Sequence, residues 1–303
     1  CMPIVNENKI TAAFVQQFHD NYELASQQNE SRLLKTVVNR GKIVGESFTI
    51  NDMGQVEMAA SGARFGDTAW TIPDAGTRSV LMNDFDLFIP IESRDIQKLK
   101  AHPNDKYIKL LYNAKNRKID DIVYQAAIGT INRKSVADNG TATTTATALP
   151  AGQLILSGFG GGSLKSKIIK AKSIFRANEC DEHNGEQLYI LYTSAMMEKI
   201  LGDTTLTSAD FMAGKMIQEG GVGGKWMGFN WIPYEKLNQG AAVGELRTVA
   251  YCGSAIHFGE ADITGFDITT RADKKNIKQV GGVHSLAAGR ANEKRVVAID
   301  FVV

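Results

Sequence analysis

The stretch Asn104-Asp-Lys-Tyr-Ile-Lys-Leu-Leu-Tyr-Asn-Ala-Lys-Asn-Arg-Lys-Ile-Asp-Asp-Ile-Val-Tyr-Gln-Ala-Ala-Ile-Gly129 decides the reading of this chain. Pro103-Asn104 supplies a stop and an N-cap. Gly129 supplies a C-terminal cap position. Ile108, Leu111, Tyr112, Ile119, Ile122, Val123 and Ala126 recur at helical spacing and form one stripe. The opposite face carries Lys106, Lys109, Lys115, Arg117 and Lys118. The spacing predicts a helix over 104–128, about 37 Å long at 1.5 Å per residue.

On either side of this helix the pattern turns extended. Upstream, 4–40 reads as an amphipathic arm in which Phe14, Val15, Phe18, Tyr22 and Leu24 fall near helical spacing. Residues 41–91 read as a long two-stranded excursion with a tip rich in glycine and alanine, carrying Arg64, Phe65 and Trp70. Its second run alternates Phe85, Leu87, Ile89 and Ile91 with Asp84, Asp86, Phe88 and Pro90, the period of a strand with one buried face. An isolated ribbon of this kind is marginal in water, so it is expected to lie on something.

Downstream, 135–150 is rich in Ser, Thr and Ala and reads as an exposed, flexible loop. A helix is expected at 163–177, with Ile168, Ile169 and Ile174 buried and the lysines outside. Leu188–Tyr192 reads as a buried strand. Thr193 caps a helix through Leu201, and Thr207 or Ser208 another through Ile217. Met227–Ile232 and Arg247–Cys252 read as strands. The tail is extended, with a basic turn at 271–278 and a terminal strand, Val296-Val-Ala-Ile-Asp-Phe-Val-Val303.

Composition bounds the function. The chain has 303 residues, 43% hydrophobic and 22% charged, which excludes wholesale disorder. Thirty-four basic and 33 acidic residues leave a net charge of +1, which excludes a generally basic nucleic-acid binder. Three cysteines, Cys1, Cys180 and Cys252, exclude a disulfide framework and point to a reducing compartment. No run approaches 18 apolar residues, so no membrane span is expected. No signal peptide is read, and Met2 reads as the initiator behind a stray Cys1. The 29 glycines against 6 prolines suggest many turns and much extended chain.

Motifs for chemistry are weak. Gly224-Lys225 is followed by Trp226, with Glu219 where a phosphate loop needs its first glycine, and Gly158–Ser163 lacks the second glycine and lysine. Cys180 and His183 offer two metal ligands where a structural zinc needs four, and Cys252 with His257 makes an unconvincing second pair. No nucleophile elbow or zinc-protease motif is present. Asp120 and Asp121 are adjacent, so on a helix they point about 100° apart and do not form an acid–base pair. They are expected to offset Arg117 and Lys118. No catalytic residue, cofactor or metal is therefore expected.

Charge distribution says more. Segment 41–90 holds three basic and seven acidic residues, net −4, whereas 100–134 and 271–295 each carry +5. An acidic ribbon and a basic helix in one near-neutral chain suggest that copies dock ribbon onto helix; the alternative is that both are merely solvated faces.

The order of parts resembles the major capsid protein of tailed bacteriophages, the Hong Kong 97 phage fold also used by encapsulins. Arg117-Lys-Ile-Asp-Asp-Ile-Val-Tyr-Gln-Ala-Ala-Ile-Gly-Thr130 is similar to the end of that family's spine helix. Gly223-Gly-Lys-Trp-Met-Gly-Phe-Asn-Trp-Ile232 is similar to its glycine-rich turn into a strand, ahead of a helical element at 255–259. Gly289-Arg-Ala-Asn-Glu-Lys-Arg-Val-Val-Ala-Ile299 is similar to its closing strand.

The resemblance implies an α+β fold. It has an arm (1–40), an extended loop or E-loop (41–91), a spine-helix region of the P domain (92–130), an A domain (131–261) and C-terminal P-domain strands (262–303). It also implies a structural protein of the virion, assembled in the host cytoplasm as hexamers and pentamers of an icosahedral shell around double-stranded DNA, with scaffolding and portal proteins as further partners and no membrane. Gly41 and Gly129 are hinge candidates. Arg64, Phe65, Trp70, Asp84 and Asp86 are candidate interface residues; Lys106, Lys109, Lys115 and Lys118 are candidates to face DNA. An encapsulin-like compartment and a glycine-rich soluble enzyme are the alternatives.

Overall fold

The computed structural model describes residues 27–60, 62, 66–68, 70–91, 104–137, 139–202 and 225–302. The first elements are strands β1 (Val38–Lys42), β2 (Ser47–Met53), β3 (Ala75–Leu81) and β4 (Asn83–Ile91), then helix α1 (Asn104–Ile128). Next come β5 (Ile131–Val136), β6 (Ala142–Thr147), β7 (Leu154–Ile155), α2 (Leu164–Ala177), β8 (Leu188–Tyr192) and α3 (Ser194–Gly202). The chain closes with β9 (Lys225–Trp226), β10 (Phe229–Pro233), β11 (Asn238–Gln239), β12 (Glu245–Cys252), β13 (Ile256–Arg271), β14 (Ile277–Arg290) and β15 (Val296–Val302). Residues up to 26 of the expected arm (4–40), the second capped helix at 207–217 and Gly223-Gly224 lie outside the described residues; Val38–Lys42, at the arm's end, is strand β1.

Two compact units divide the chain. One contains Asn83–Ile119 and Ala261–Leu286 with the described residues up to Ser31; the other contains Arg32–Met82, Asp120–Glu260 and Ala287–Val303. In the first unit β4 runs antiparallel along β14, from Lys278 opposite Ile91 to Leu286 opposite Asn83. Ile91, Leu111 and Val280 are buried together there, with Ile89, Tyr107, Ile108, Phe266 and Ile268 packed around them. The helical stripe therefore buries Leu111, but Tyr112 is half-exposed and packs its ring edge-on against Phe266 at 4.9 Å.

In the second unit a seven-stranded sheet has the order β7-β15-β12-β8-β10-β9, with β11 beside β12. β15 is buried from Val296 to Phe301 because Val-Val-Ala-Ile reads as a continuous apolar run, the pattern of a strand covered on both faces. Helix α2 contributes Leu164, Ile168, Ala171 and Phe175 to the core. Ile169, expected to be buried, is exposed, and Lys167 takes an inward position, its Nζ donating to Asp300 O at 3.0 Å. Burial lowers the Lys167 pKa. The expected cap of α3 is formed: Thr193 Oγ1 accepts from Met196 N at 3.3 Å.

Also in the second unit, β2, β3, β5 and β6 form an antiparallel four-stranded sheet in that order. Two expectations change here. The excursion pairs 47–53 with 75–81 only, while β4 belongs to another sheet, whose order is β1-β13-β14-β4. And the threonine-rich segment is not a loop: Ala142–Thr147 is an edge strand on β5. β-branched threonine fits a pleated strand even where both faces are exposed, which removes the apolar alternation that marks most strands. The segment expected to be helical at 255–259 is the start of β13, with Val38 opposite His257. Phe48, Ile50, Val80, Ile131 and Ala287 bury together over the hairpin sheet. Gly289 is required there, since a Cβ on it would fall 2.2 Å from Val80 Cγ2.

Candidate assembly surface

The hairpin β2–β3 leaves its far end open to solvent. Between the paired strands, residues 54–60 and 70–74 have no regular structure among the described residues. Met53, Val56, Met58, Trp70 and Ile72 are all exposed, Trp70 by 88%. Isolated exposed apolar residues are ordinary, whereas five large ones stand on this single excursion, which makes it a candidate contact surface. Glu57, Asp67 and Asp74 are exposed among them, so the tip is acidic as well as apolar.

The root of the hairpin is held by a buried charge network. Gly76, Arg78 and Val80 share one face of β3 by the two-residue period, so Arg78 points inward with Val80. Only 3% of Arg78 is exposed. Its Nε donates to Asp52 Oδ2 at 3.0 Å, and its two terminal nitrogens grip Glu293, Nη2 to Oε2 at 2.8 Å. Arg133 on β5 donates to the same Asp52 oxygen at 2.8 Å and to Asp74 at 3.0 Å. Burial pushes the Asp52 carboxyl up, but the bonds from Arg133 and Arg78 outweigh it and hold it below its ordinary value. Glu293 is likewise pushed up by burial and pulled lower overall by Arg78.

Arg290 completes the network. Its side chain is buried, its Nη1 donates to Ala127 O at 2.9 Å and Gly129 O at 2.7 Å, and its Nη2 donates to Thr147 O at 3.1 Å. Its Nε reaches Glu293 Oε1 at 3.4 Å. One guanidinium thus satisfies carbonyls at the end of α1, where the helix dipole is negative, and on β6. Burial lowers the Arg290 pKa and Glu293 opposes the fall. A cavity of about 370 Å³ opens beside this network, lined by Asp52, Asp74, Arg78, Arg133, Asn292 and Glu293 among others.

Sequence reasoning singled out other residues. Trp70 stands on the hairpin tip as expected, whereas Asp84 and Asp86 are exposed on β4, an edge strand of a different sheet. Arg64 and Phe65 lie outside the described residues, as does the Lys106 side chain. Lys109 is exposed on α1, while Lys115 and Lys118 are half-buried. Lys118 Nζ sits 4.8 Å from the centre of the Phe85 ring, a cation–π contact. Asp120 does not simply offset its basic neighbours: it is fully buried and accepts from Arg32 N and Leu33 N, both at 3.1 Å. The sequence reading singled out none of Arg78, Arg290 and Glu293; the signal that could have found Arg78 is its two-residue register with Val80, and Arg290 and Glu293 lie inside the Gly289–Ile299 run.

Among the described residues no three His, Cys, Asp or Glu side chains gather to hold a metal ion. Among them, too, no helix is long and apolar enough to cross a membrane. His257 Nδ1 accepts from Arg40 Nε at 2.9 Å rather than joining Cys252.

The sequence profile of a family described as phage capsid protein matches residues 10–303. The chain belongs to the phage capsid protein family. It is a major capsid subunit, a structural component of the virion and not an enzyme. No curated protein matches the capsid protein by sequence. Solved structures match it over nearly its whole length. The capsid of the cyanophage P-SCSP1u is 15% identical, with 93% of this chain and 92% of that chain covered and a TM-score of 0.62. Gordonia phage Cozz is 11% identical, with coverage of 95% and 91% and a TM-score of 0.66. The capsid of a native GTA particle is 11% identical, with 95% of each chain covered and a TM-score of 0.65. At such identities the likeness shows the fold alone, and that fold is the Hong Kong 97-type α+β capsid fold.

Proposed function

We propose that the hairpin 47–81 is the E-loop of this capsid protein and lies across a neighbouring copy, which covers Met53, Val56, Met58, Trp70 and Ile72. Copies joined in this way gather as hexamers and pentamers of an icosahedral shell around double-stranded DNA, with scaffolding and portal proteins as partners. The observation that carries this reading is the contrast within one hairpin: a root locked by Arg78, Arg133 and Arg290, and a tip that leaves large apolar side chains in water. A fixed root presents the tip at a defined angle, which lowers the ordering cost of docking. Obligate interfaces of this class bury about 2,000 Å² or more.

The test is Trp70→Ser combined with Met58→Ser. Loss of particles in electron micrographs, with an unchanged circular dichroism spectrum, is the expected result; particles in normal yield would refute the docking role. The DNA-facing role goes to the lysine-bearing face of α1, binding sequence-blind through phosphate charge. Reversing Lys109 and Lys115 to Glu should lower packaged DNA without blocking empty shells. Unchanged packaging would refute it.

A further inference from the structure

The sheet β2-β3-β5-β6 ends at β6, and that edge is open among the described residues. Ala142 to Ala146 are all exposed, and Thr147 is half-buried. The hydrogen-bond ladder fixes which way the backbone points. Ala137 N donates to Thr141 O at 3.0 Å, and β5 and β6 then pair without a slip from Val136 opposite Ala142 to Ile131 opposite Thr147. Antiparallel neighbours exchange bonds at every second pair, so Thr143, Thr145 and Thr147 bond to Ser135, Arg133 and Ile131. Ala142, Thr144 and Ala146 therefore aim their N–H and C=O groups away from β5, at the open edge.

Proteins blunt such edges with charge and proline. In the sheet β1-β13-β14-β4, the edge strand β4 carries Asp84, Asp86 and Pro90, and the opposite edge, β1, carries Arg40 and Lys42. β6 carries no charge, no proline and no bulge. It is also held at both ends. Thr141 N donates to Asn139 Oδ1 at 3.0 Å in the turn before it, and Arg290 Nη2 donates to Thr147 O at 3.1 Å. A fixed, neutral, open edge is a template for one more strand.

The sequence says which strand fits. Thr141-Ala-Thr-Thr-Thr-Ala-Thr147 reads the same in both directions around Thr144. Laid antiparallel on a second copy of itself and centred on Thr144, it sets Thr144 opposite Thr144, Ala142 opposite Ala146 and Thr143 opposite Thr145. The residues that meet in hydrogen-bonded pairs are then Ala142, Thr144 and Ala146, the three whose backbone groups face the open edge, and three such pairs exchange about six bonds. The closer pairs between them set threonine against threonine, a favourable cross-strand match, and no like charges within β6 oppose each other.

We propose that β6 pairs antiparallel with β6 of a second copy across a two-fold axis, joining the two sheets into one. The contact is isologous, so it closes on itself and does not grow into a fibre. Six residues a side fall well short of the roughly 1,200 Å² that a stable complex buries. The pairing therefore forms where other contacts already hold the copies, at two-fold axes between neighbours in the shell, a setting that rests on the assembly reading.

The experiment uses particles of Thr144→Cys in a Cys1→Ser background, oxidised with copper phenanthroline and run on a non-reducing gel. The Cys1→Ser parent, in which Cys180 and Cys252 are buried, is the blank. Opposed residues of a hydrogen-bonded pair have Cα atoms about 5.5 Å apart, within disulfide reach, so a dimer released by dithiothreitol is expected. Thr145→Cys is equally exposed but stands opposite Thr143, and should link about tenfold less. Adding Ala142→Pro to Thr144→Cys removes an outward N–H without touching the bonds to β5. It should cut the link about tenfold and leave the circular dichroism spectrum unchanged. A Thr144→Cys chain that stays monomeric on the gel, or that links no better than Thr145→Cys, overturns the proposal. Particle formation is scored separately by microscopy. If no particles form, the same oxidation of the concentrated soluble chain decides the pairing, because a disulfide traps even a transient contact: a dimer linked at 144 supports it and its absence overturns it, so the two readings fail independently.

Discussion

Replacing Arg290 with Met should cost more than any surface change in the hairpin. The guanidinium donates to Ala127 O, Gly129 O and Thr147 O, at 2.7–3.1 Å. Methionine fills much of the volume and offers no donor, so one buried and two partly buried carbonyls lose this donor at about 1–3 kcal/mol each, with the partly buried pair at the low end. Part of that is returned, because removing a buried charge relieves its desolvation. Glu293 is not orphaned, since Arg78 Nη2 still holds it at 2.8 Å. The balance is about 4 kcal/mol, equivalent to a fall in melting temperature of about 8 °C. Scanning calorimetry of the purified variant reads this directly. Arg290→Lys retains the charge, but one ammonium cannot span both the helix end and β6, so it should lose at least half as much. A Met variant within 1 kcal/mol of the parent would refute the claim that this side chain locks the hairpin root.

Acid should loosen the same network. Asp52 and Glu293 are held below their ordinary values of 3.8 and 4.5, so their contribution is fully present above those values and is lost as pH falls through the lower folded ones. The urea midpoint should therefore hold level from pH 7 to about 5 and drop below about 4, and Asp52→Asn should flatten that drop; an equally steep fall in the variant would contradict the assignment. Asp120→Ala leaves the amides of Arg32 and Leu33 without their acceptor and should cost about 2–4 kcal/mol in chemical unfolding, with Asp120→Asn intermediate. A change under 1 kcal/mol would show that water replaces the carboxylate.

The parts legible in the sequence are those whose signal is local. Helix α1 announces itself by a 3.6-residue stripe between Asn104 and Gly129, β15 by an unbroken apolar run, and α3 by Thr193. Strand pairing is non-local, and there the reading fell short. Phe85 to Ile91 alternates convincingly, yet nothing in its own sequence says that it pairs with β14 rather than with β2. Leu87 and Phe88 are both exposed at that edge, so the apolar alternation does not map cleanly onto burial. The threonines of β6 carry no apolar face because the strand is exposed on both sides. Buried charges were the other blind spot. Lys167, Asp120, Arg290 and Asp300 read as surface residues until their partners are known. Asp300 is fully buried, and Arg247 grips it with two bonds at 2.7 and 2.8 Å. The proposed assembly surface was half-visible: Trp70 stood out in a Gly/Ala-rich tip, but the arginines that hold its root did not.

The most direct test of the account is a cryo-electron reconstruction of particles formed by this chain. The account predicts a closed icosahedral shell in which hairpin residues 54–74 of each subunit lie against the next copy, with Trp70 buried in that contact. A shell in which the Trp70 tip stays in solvent and touches no neighbour would contradict it.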